Sequence, residues 1–204
     1  MQEVGLIGSG SAIDIDIVSK YSDNSALVRA VIAAALWPNI AKIVLPATKY
    51  EKIASGTLAL DPEAKTIKFF TPPTNLEGEE ERVFIHPGST MFSNIAFIDN
   101  SSFVSFFTRV QTSKIFVRDV TPINAIAVLL LCGEKIEIDH LGRGMSVHGL
   151  RIKAWARIGT LIAVLRRLLD ERLKWKFESP AMDILEDDVM QCLRKLMQIE
   201  DIQR

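Results

Sequence analysis

Cysteine is nearly absent from this sequence: Cys132 and Cys192 are the only two in 204 residues. Two widely spaced cysteines make no disulfide framework. Long hydrophobic runs are missing as well. The longest, Ala30 to Trp37 and Ala125 to Cys132, have eight residues each, against the ~20 needed to cross a bilayer, so no transmembrane helix and no membrane partner are expected. The N-terminal stretch Met1-Gln2-Glu3-Val4 lacks both a basic n-region and an apolar h-region. That predicts no secretory signal and, with the low cysteine count, a reducing intracellular compartment.

The motifs of catalysis are also missing. No Gly-x-x-x-x-Gly-Lys-Ser/Thr loop is present to cradle phosphates. Gly8-Ser9-Gly10-Ser11 is rich in glycine but has no lysine after it and reads as a linker. Cys132, His140, His148 and Cys192 never fall into the short paired spacings that ligate metal. Ser9 is not framed as Gly-x-Ser-x-Gly, Asp139-His140 is only a neighbour pair, and Glu186-Asp187-Asp188 reads as the solvated face of a helix. No catalytic residue, no metal site and no cofactor are expected in this chain.

What is present is a folding composition, 48% hydrophobic and 24% charged with a mean hydropathy of +0.19. Net charge is only −1, but it is segregated. Residues 143–176 hold nine Lys/Arg against two Asp/Glu, whereas 177–204 hold three against seven and 1–142 twelve against sixteen. A basic segment of this kind is either a phosphate-binding footprint or a solvated helix face.

Polar Ser22-Asp23-Asn24-Ser25 offers N-cap chemistry for a helix that Pro38 stops. Strands are predicted at Ile40–Leu45, Thr66–Phe70, Val83–Ile85, Phe103–Val110 and Lys114–Val120, from β-branched and aromatic runs between turn residues. Leu76–Arg82 reads as an acidic surface loop. A short buried helix follows over Ile123–Cys132, and then two strands, Ile136–Asp139 and Leu150–Trp155, about a Gly142-Arg143-Gly144 turn. Apolar steps of three and four mark an amphipathic helix over Ala156–Lys176 whose other face holds Arg157, Arg166, Arg167 and Lys174. Ser179-Pro180 is read as the start of a final helix with Met182, Leu185, Val189, Leu193 and Leu196 on one face. The order predicts an α+β fold: a small antiparallel β-barrel with flanking helices. Residues 1–21 form a leading segment, 22–155 the barrel domain with its first helix, and 156–204 the C-terminal helices.

At the strand end after Ile85, His86-Pro87-Gly88-Ser89 forms a corner. Its imidazole, hydroxyl and backbone N–H groups either meet a phosphate or sugar or satisfy the turn itself. Lys114, Arg118 and Arg109 alternate with apolar residues on the hairpin strands, which sets them opposite the core.

Leu36-Trp37-Pro38-Asn39-Ile40-Ala41-Lys42, His86-Pro87-Gly88-Ser89 and the run Thr112-Ser113-Lys114-Ile115-Phe116-Val117-Arg118-Asp119-Val120-Thr121-Pro122 together resemble the C-terminal region of the DEAH/RHA-type (DExH-box) ATP-dependent RNA helicases. The first resembles the start of that family's oligonucleotide-binding (OB) fold, and the second its His-Pro-Ser-Ser corner, with Gly88 in place of a serine. Trp37 stands where Tyr or Phe is commoner. The likeness covers about residues 22–176, including Leu165-Arg166-Arg167-Leu168-Leu169-Asp170, and Val4-Gly5-Leu6-Ile7 resembles the end of the preceding helical ratchet domain.

The resemblance implies an accessory RNA-binding module: His86, Ser89, Lys114 and Arg118, with Lys42 and Lys49, would contact the backbone of single-stranded RNA. ATP and Mg²⁺ would belong to motor domains outside this chain. The remaining helicase domains in cis and activating proteins would be its partners. The larger cytoplasmic members are most similar, so a cytoplasmic rather than nuclear location is expected. The other reading is a protein-docking domain with little RNA affinity, and the position of the basic helix relative to His86 and Lys114 separates the two.

Overall fold

The computed structural model describes residues 21–47, 49–53, 56–60, 66–73, 78–93, 101–139, 144–180, 182, 184 and 187–198. Helix α1 (Ser25–Leu36) opens them, and the Asn24 side chain accepts the Leu27 N–H at 3.2 Å as its cap. Ten strands follow: β1 (Ile40–Val44), β2 (Lys49–Ile53), β3 (Gly56–Leu60), β4 (Lys68–Thr71), β5 (Glu81–Ile85), β6 (Phe103–Gln111), β7 (Ile115–Ile123), and, after helix α2 (Ala125–Leu131), β8 (Ile136–Asp139), β9 (Gly144–Val147) and β10 (Leu150–Lys153). Helices α3 (Ala156–Glu178) and α4 (Asp188–Gln198) complete the order. Among the described residues no helix is long and apolar enough to cross a membrane.

Strands β1-β4-β5-β7-β6 close into a barrel, the OB-fold expected of the sequence. Its pairings are antiparallel except for β5 with β7, which run parallel. Alternation fills the interior: Ala41, Ile43, Phe69, Val83, Ile85, Val104, Phe106, Ile115, Val117 and Val120 form one buried cluster. On β7 the buried residues switch from odd numbers (Ile115, Val117) to even at Val120. Asp119, at φ +54°, absorbs that one-residue shift, and aspartate tolerates the left-handed region better than most residues.

A second layer covers one end of the barrel. Helix α2, the sheet β10-β9-β8 and helix α3 enclose a core in which Phe103 and Ile123, at the root of the β6–β7 hairpin, meet Val128, Leu129, Met145, Val147 and Ile152. Helices α1, α2, α3 and α4 share a third cluster containing Ala30, Leu130, Leu169 and Leu193. Asn124 ties these parts together: its carbonyl caps α2 at Ala127 N–H (2.7 Å) and its amide donates to the Met197 carbonyl (3.0 Å).

Several elements depart from the sequence reading. The β2–β3 hairpin and β9 were not expected; in Lys49-Tyr50-Glu51-Lys52-Ile53 the two apolar residues stand three apart, so the sequence shows no period-2 apolar pattern there. The turn of the small sheet is His148-Gly149, both at positive φ (+49° and +82°), joining the Val147–Leu150 pair as a type I′ hairpin. The predicted Gly142-Arg143-Gly144 turn lies largely outside the described residues. Glu81 and Arg82, read as loop, begin β5. Ser179 does not start a helix. It ends α3, and the Lys176 ammonium holds the carbonyls of Pro180 and Met182 at 2.6 and 2.7 Å. The final helix begins nine residues later at Asp188, where the Asp187 carboxylate accepts the Val189 N–H (2.9 Å) and pairs with Arg172 on α3 (2.8 Å).

The largest correction concerns Arg166, placed by periodicity on the solvated face of α3. It is 8% exposed. Its guanidinium donates to the carbonyls of Leu129 (2.9 Å), Cys132 (2.7 Å) and Gly133, which closes the C-terminal end of α2. Gly133 sits at φ +66°, and a Cβ there would lie 2.5 Å from a Val147 methyl, so the chain after α2 can turn over the guanidinium only as glycine. Burial pushes the neighbouring Cys132 thiol up to about 12, with the Arg166 charge acting in the opposite sense, so it stays protonated and unreactive in the native fold.

Arg166→Met keeps the stem and removes the cap. Each charged hydrogen bond lost from a buried carbonyl costs about 1.5–3 kcal/mol, so urea unfolding of this variant is expected to show a clear drop in midpoint at unchanged m-value, while Arg167→Met, at an exposed neighbour, leaves it within ~0.5 kcal/mol of wild type.

The hydrogen bond from Arg172, with a lesser one from the Val189 N–H, holds the Asp187 carboxyl below its usual range. A depressed native pKa stabilises above the unfolded pKa and is lost as pH falls through the native one. Asp187→Asn is therefore expected to be less stable than wild type at pH 7, and unfolding titrations should show that gap closing below about pH 4.

Candidate nucleic-acid interface

Because every second side chain points away from the barrel interior, the outer surface of β1, β4, β5 and the first half of β7 can be read by parity. The outward positions are Lys42 and Val44, Lys68 and Phe70, Arg82 and Phe84, and Phe116 and Arg118. Register makes them neighbours: Lys42 opposes Phe70, Phe70 opposes Arg82, and Phe84 opposes Phe116. None of these positions is a carboxylate. The result is a face of cations interleaved with phenylalanines.

Side-chain contacts hold it together. The Arg82 guanidinium and the Lys114 ammonium each lie 4.7 Å from the centre of the Phe84 ring, contacts worth about 0.5–1 kcal/mol when exposed. Phe84 and Phe116 stand 6.2 Å apart and tilted by 50°. The His86 ring meets Phe116 edge to face at 5.8 Å. His86 continues β5: its N–H donates to the Val117 carbonyl at 2.9 Å.

Both nitrogens of the His86 ring have a donor beside them. The Gly88 N–H lies 3.0 Å from Nδ1 and an Arg118 guanidinium nitrogen 2.7 Å from Nε2. Neutral imidazole has one acceptor nitrogen, so the two donors compete and only one is satisfied at a time. Arg118 is exposed. Gly88, where the resembling family has a serine, contributes its backbone to the corner instead of a hydroxyl.

Of the six candidates, the structure brings His86, Arg118 and Lys114 into one patch. Lys114 stands in the β6–β7 turn rather than on a strand, exposed. Lys42 joins the same face through Phe70. Ser89 is half-buried one turn beyond His86, its N–H donating to the His86 carbonyl at 2.9 Å. The backbone of Lys49 is on β2, and its side chain lies outside the described residues. Arg109 is paired with Glu81 rather than turned to this face. The phenylalanines, with Arg82 and Lys68, escaped the sequence reading although their signal is legible: Arg82-x-Phe84-x-His86 and Lys114-x-Phe116-x-Arg118 repeat one pattern.

The basic helix does not extend the patch. Helix α3 packs on α2 and the small sheet, beside the root of the β6–β7 hairpin at Phe103 and Ile123. Lys114 is at the opposite end of β7, ~26 Å away along a strand of this length. Much of its charge is also spent within the fold: Arg166 caps α2, Arg172 pairs with Asp187, Lys174 with Glu178, and Lys176 binds two carbonyls. Among the described residues no group of three or more His, Cys, Asp or Glu is placed to hold a metal ion.

Comparison with known proteins gives this arrangement a context. A family model described as an oligonucleotide/oligosaccharide-binding (OB) fold matches residues 28–136, and one described as a C-terminal domain in RNA helicases matches 143–198. The putative ATP-dependent RNA helicase ucp12 of Schizosaccharomyces pombe is 37% identical over 86% of this chain and 13% of its own length. A putative DEAH-box ATP-dependent helicase of Mycosarcoma maydis, UM11114, is 34% identical over 88% of this chain and 12% of its own. Human ATP-dependent RNA helicase DHX29 is 25% identical over 86% and 11%. The chain thus spans about one-eighth of the length of these relatives. The first model spans most of α1, the barrel and α2, the second β9, β10, α3 and α4, and the chain belongs to the C-terminal OB-fold family of the DEAH-box ATP-dependent RNA helicases.

Proposed function

We propose that this chain is the accessory RNA-binding module of an ATP-dependent RNA helicase, gripping the RNA backbone and coupling it to the motor. The observation that supports this reading most is the outer barrel face, where Lys42, Lys68, Arg82, Lys114 and Arg118 gather, with no carboxylate among the outward positions of β1, β4, β5 and the first half of β7 up to Arg118. Cations of this kind bind phosphates with little regard to sequence and lose affinity steeply with salt. Arg118 and Lys114, resting on an imidazole and a ring face, exchange those partners for phosphate at little cost.

No residue pattern here fits the phosphates of ATP, so no nucleotide step is assigned to this chain. ATP and Mg²⁺ act in the motor domains that complete the protein in cis, and a cytoplasmic site of action follows the larger members of the family. A second reading, docking of activating proteins, gains from the position of the basic helix α3 away from His86 and Lys114, and it draws on Trp155 (66% exposed) at the N-cap of α3 with Ile158 and Leu161 (59% exposed) on its first turns, which step along one face in contact with solvent.

Fluorescence anisotropy of a labelled single-stranded RNA at several salt concentrations separates the two. Wild-type binding is expected to weaken with salt, and Lys114→Glu/Arg118→Glu to lower the log–log salt slope by about 1.4, the share of two phosphate contacts on a single strand. Absence of wild-type binding at low salt would favour docking.

A further inference from the structure

Phosphate contacts leave the three phenylalanines of the outer barrel face unexplained. An outward strand position is ordinarily polar, yet Phe70, Phe84 and Phe116 occupy three such positions on adjoining strands, each only half-buried. Inside the barrel the same strands use Phe69, Val83, Ile85, Ile115 and Val117, all well buried, so the outer rings are not overflow from the core. The cation and ring contacts of Phe84 and Phe116 among the described residues are with Arg82, Lys114, His86 and each other.

A flat apolar surface flanked by cations suits a polyanion that also has flat apolar faces. A protein strand offers the apolar contact without the charge, and duplex RNA offers the charge with its base faces hidden in the stack. An unpaired stretch of RNA offers both. We propose that Phe84 and Phe116 form a base-stacking site for unpaired nucleotides, with Arg82 and Lys114 as movable covers. In the free chain these two cations lie on the Phe84 ring; an arriving phosphate is the stronger partner for each, and drawing them off the ring exposes the face on which the attached base stacks. The inference rests on the nucleic-acid reading above and adds what backbone contacts cannot supply, discrimination of unpaired from paired RNA.

The test uses the full 204-residue chain and four probes of one sequence: a single-stranded 10-mer, the same strand with abasic sites at its four central positions, its blunt duplex, and the strand with a central 2-aminopurine. Stacking is worth roughly 5- to 150-fold in affinity per base. The intact strand is therefore expected to bind at least fivefold more tightly than the abasic strand at an equal salt slope, and more tightly than the duplex, with 2-aminopurine fluorescence quenched on binding. Phe84→Leu/Phe116→Leu should abolish the preference and the quenching, whereas Phe84→Trp should keep both. Equal affinity for intact and abasic strands in the wild type overturns the stacking site without requiring any variant to fold. If that equality accompanies loss of binding in Lys114→Glu/Arg118→Glu, the backbone reading survives alone. If no probe binds at low salt, both fall.

Discussion

A five-stranded barrel closes only if each strand sends alternate side chains to a shared interior, and here the β6–β7 hairpin must satisfy two interiors at once. Its tip half lines the barrel with Ile115 and Val117, while its root is wedged between the barrel and the second layer, with Val104 and Phe106 on one side and Phe103 and Ile123 on the other. The phase shift at Asp119 reconciles the two demands. Everything else is arranged around that hairpin: β1 and β5 pair to its two edges, α1 packs on it, α2 springs from its end, and Phe103 and Ile123 at its root share a core with the small sheet.

How far this could be read in advance depends on how much of each segment's burial is one-sided. Strands β4 and β5 alternate cleanly, and the β-branched and aromatic runs of the other barrel strands made their positions legible to within a few residues. Helix α1 announced itself through Asn24 and Pro38. The β2–β3 hairpin left no period-2 apolar pattern because Tyr50 and Ile53 stand three apart in β2 and Leu58, Ala59 and Leu60 are consecutive in β3. Strand β9 (Gly144-Met145-Ser146-Val147) is only four residues long, too short to reveal a period. The start of α4 was misplaced because Ser179-Pro180 has cap chemistry in sequence, whereas the lysine that holds the Pro180 carbonyl belongs to the preceding helix. Such a contact depends on where the chain goes next.

Charge was the more misleading guide. The excess of Lys and Arg over 143–176 pointed to a binding surface, but four of those nine, Arg166, Arg172, Lys174 and Lys176, are engaged within the fold, Arg166 most of all. The cations that do share a face, Lys42, Lys68, Arg82, Lys114 and Arg118, are scattered over strands that a count along the chain cannot bring together. His86, Lys114 and Arg118 were found through motif likeness; the phenylalanines beside them required the register. Linear density of charge measures how a helix is decorated, while the field at a surface is set by which strands adjoin.

The parallel pairing of β5 with β7 has one more implication. In an antiparallel pair a local twofold axis relates the strands, and a pattern written on both reads alike from either end. Here Arg82-x-Phe84-x-His86 and Lys114-x-Phe116-x-Arg118 advance in the same sense, with Phe84 level with Phe116. The two strands are related by translation, and one end of the track is marked by the imidazole and guanidinium of His86 and Arg118, the other by Arg82 and Lys114. A surface built this way has a direction. A chain molecule with distinct ends, lying along it, meets a different order of groups when it is reversed.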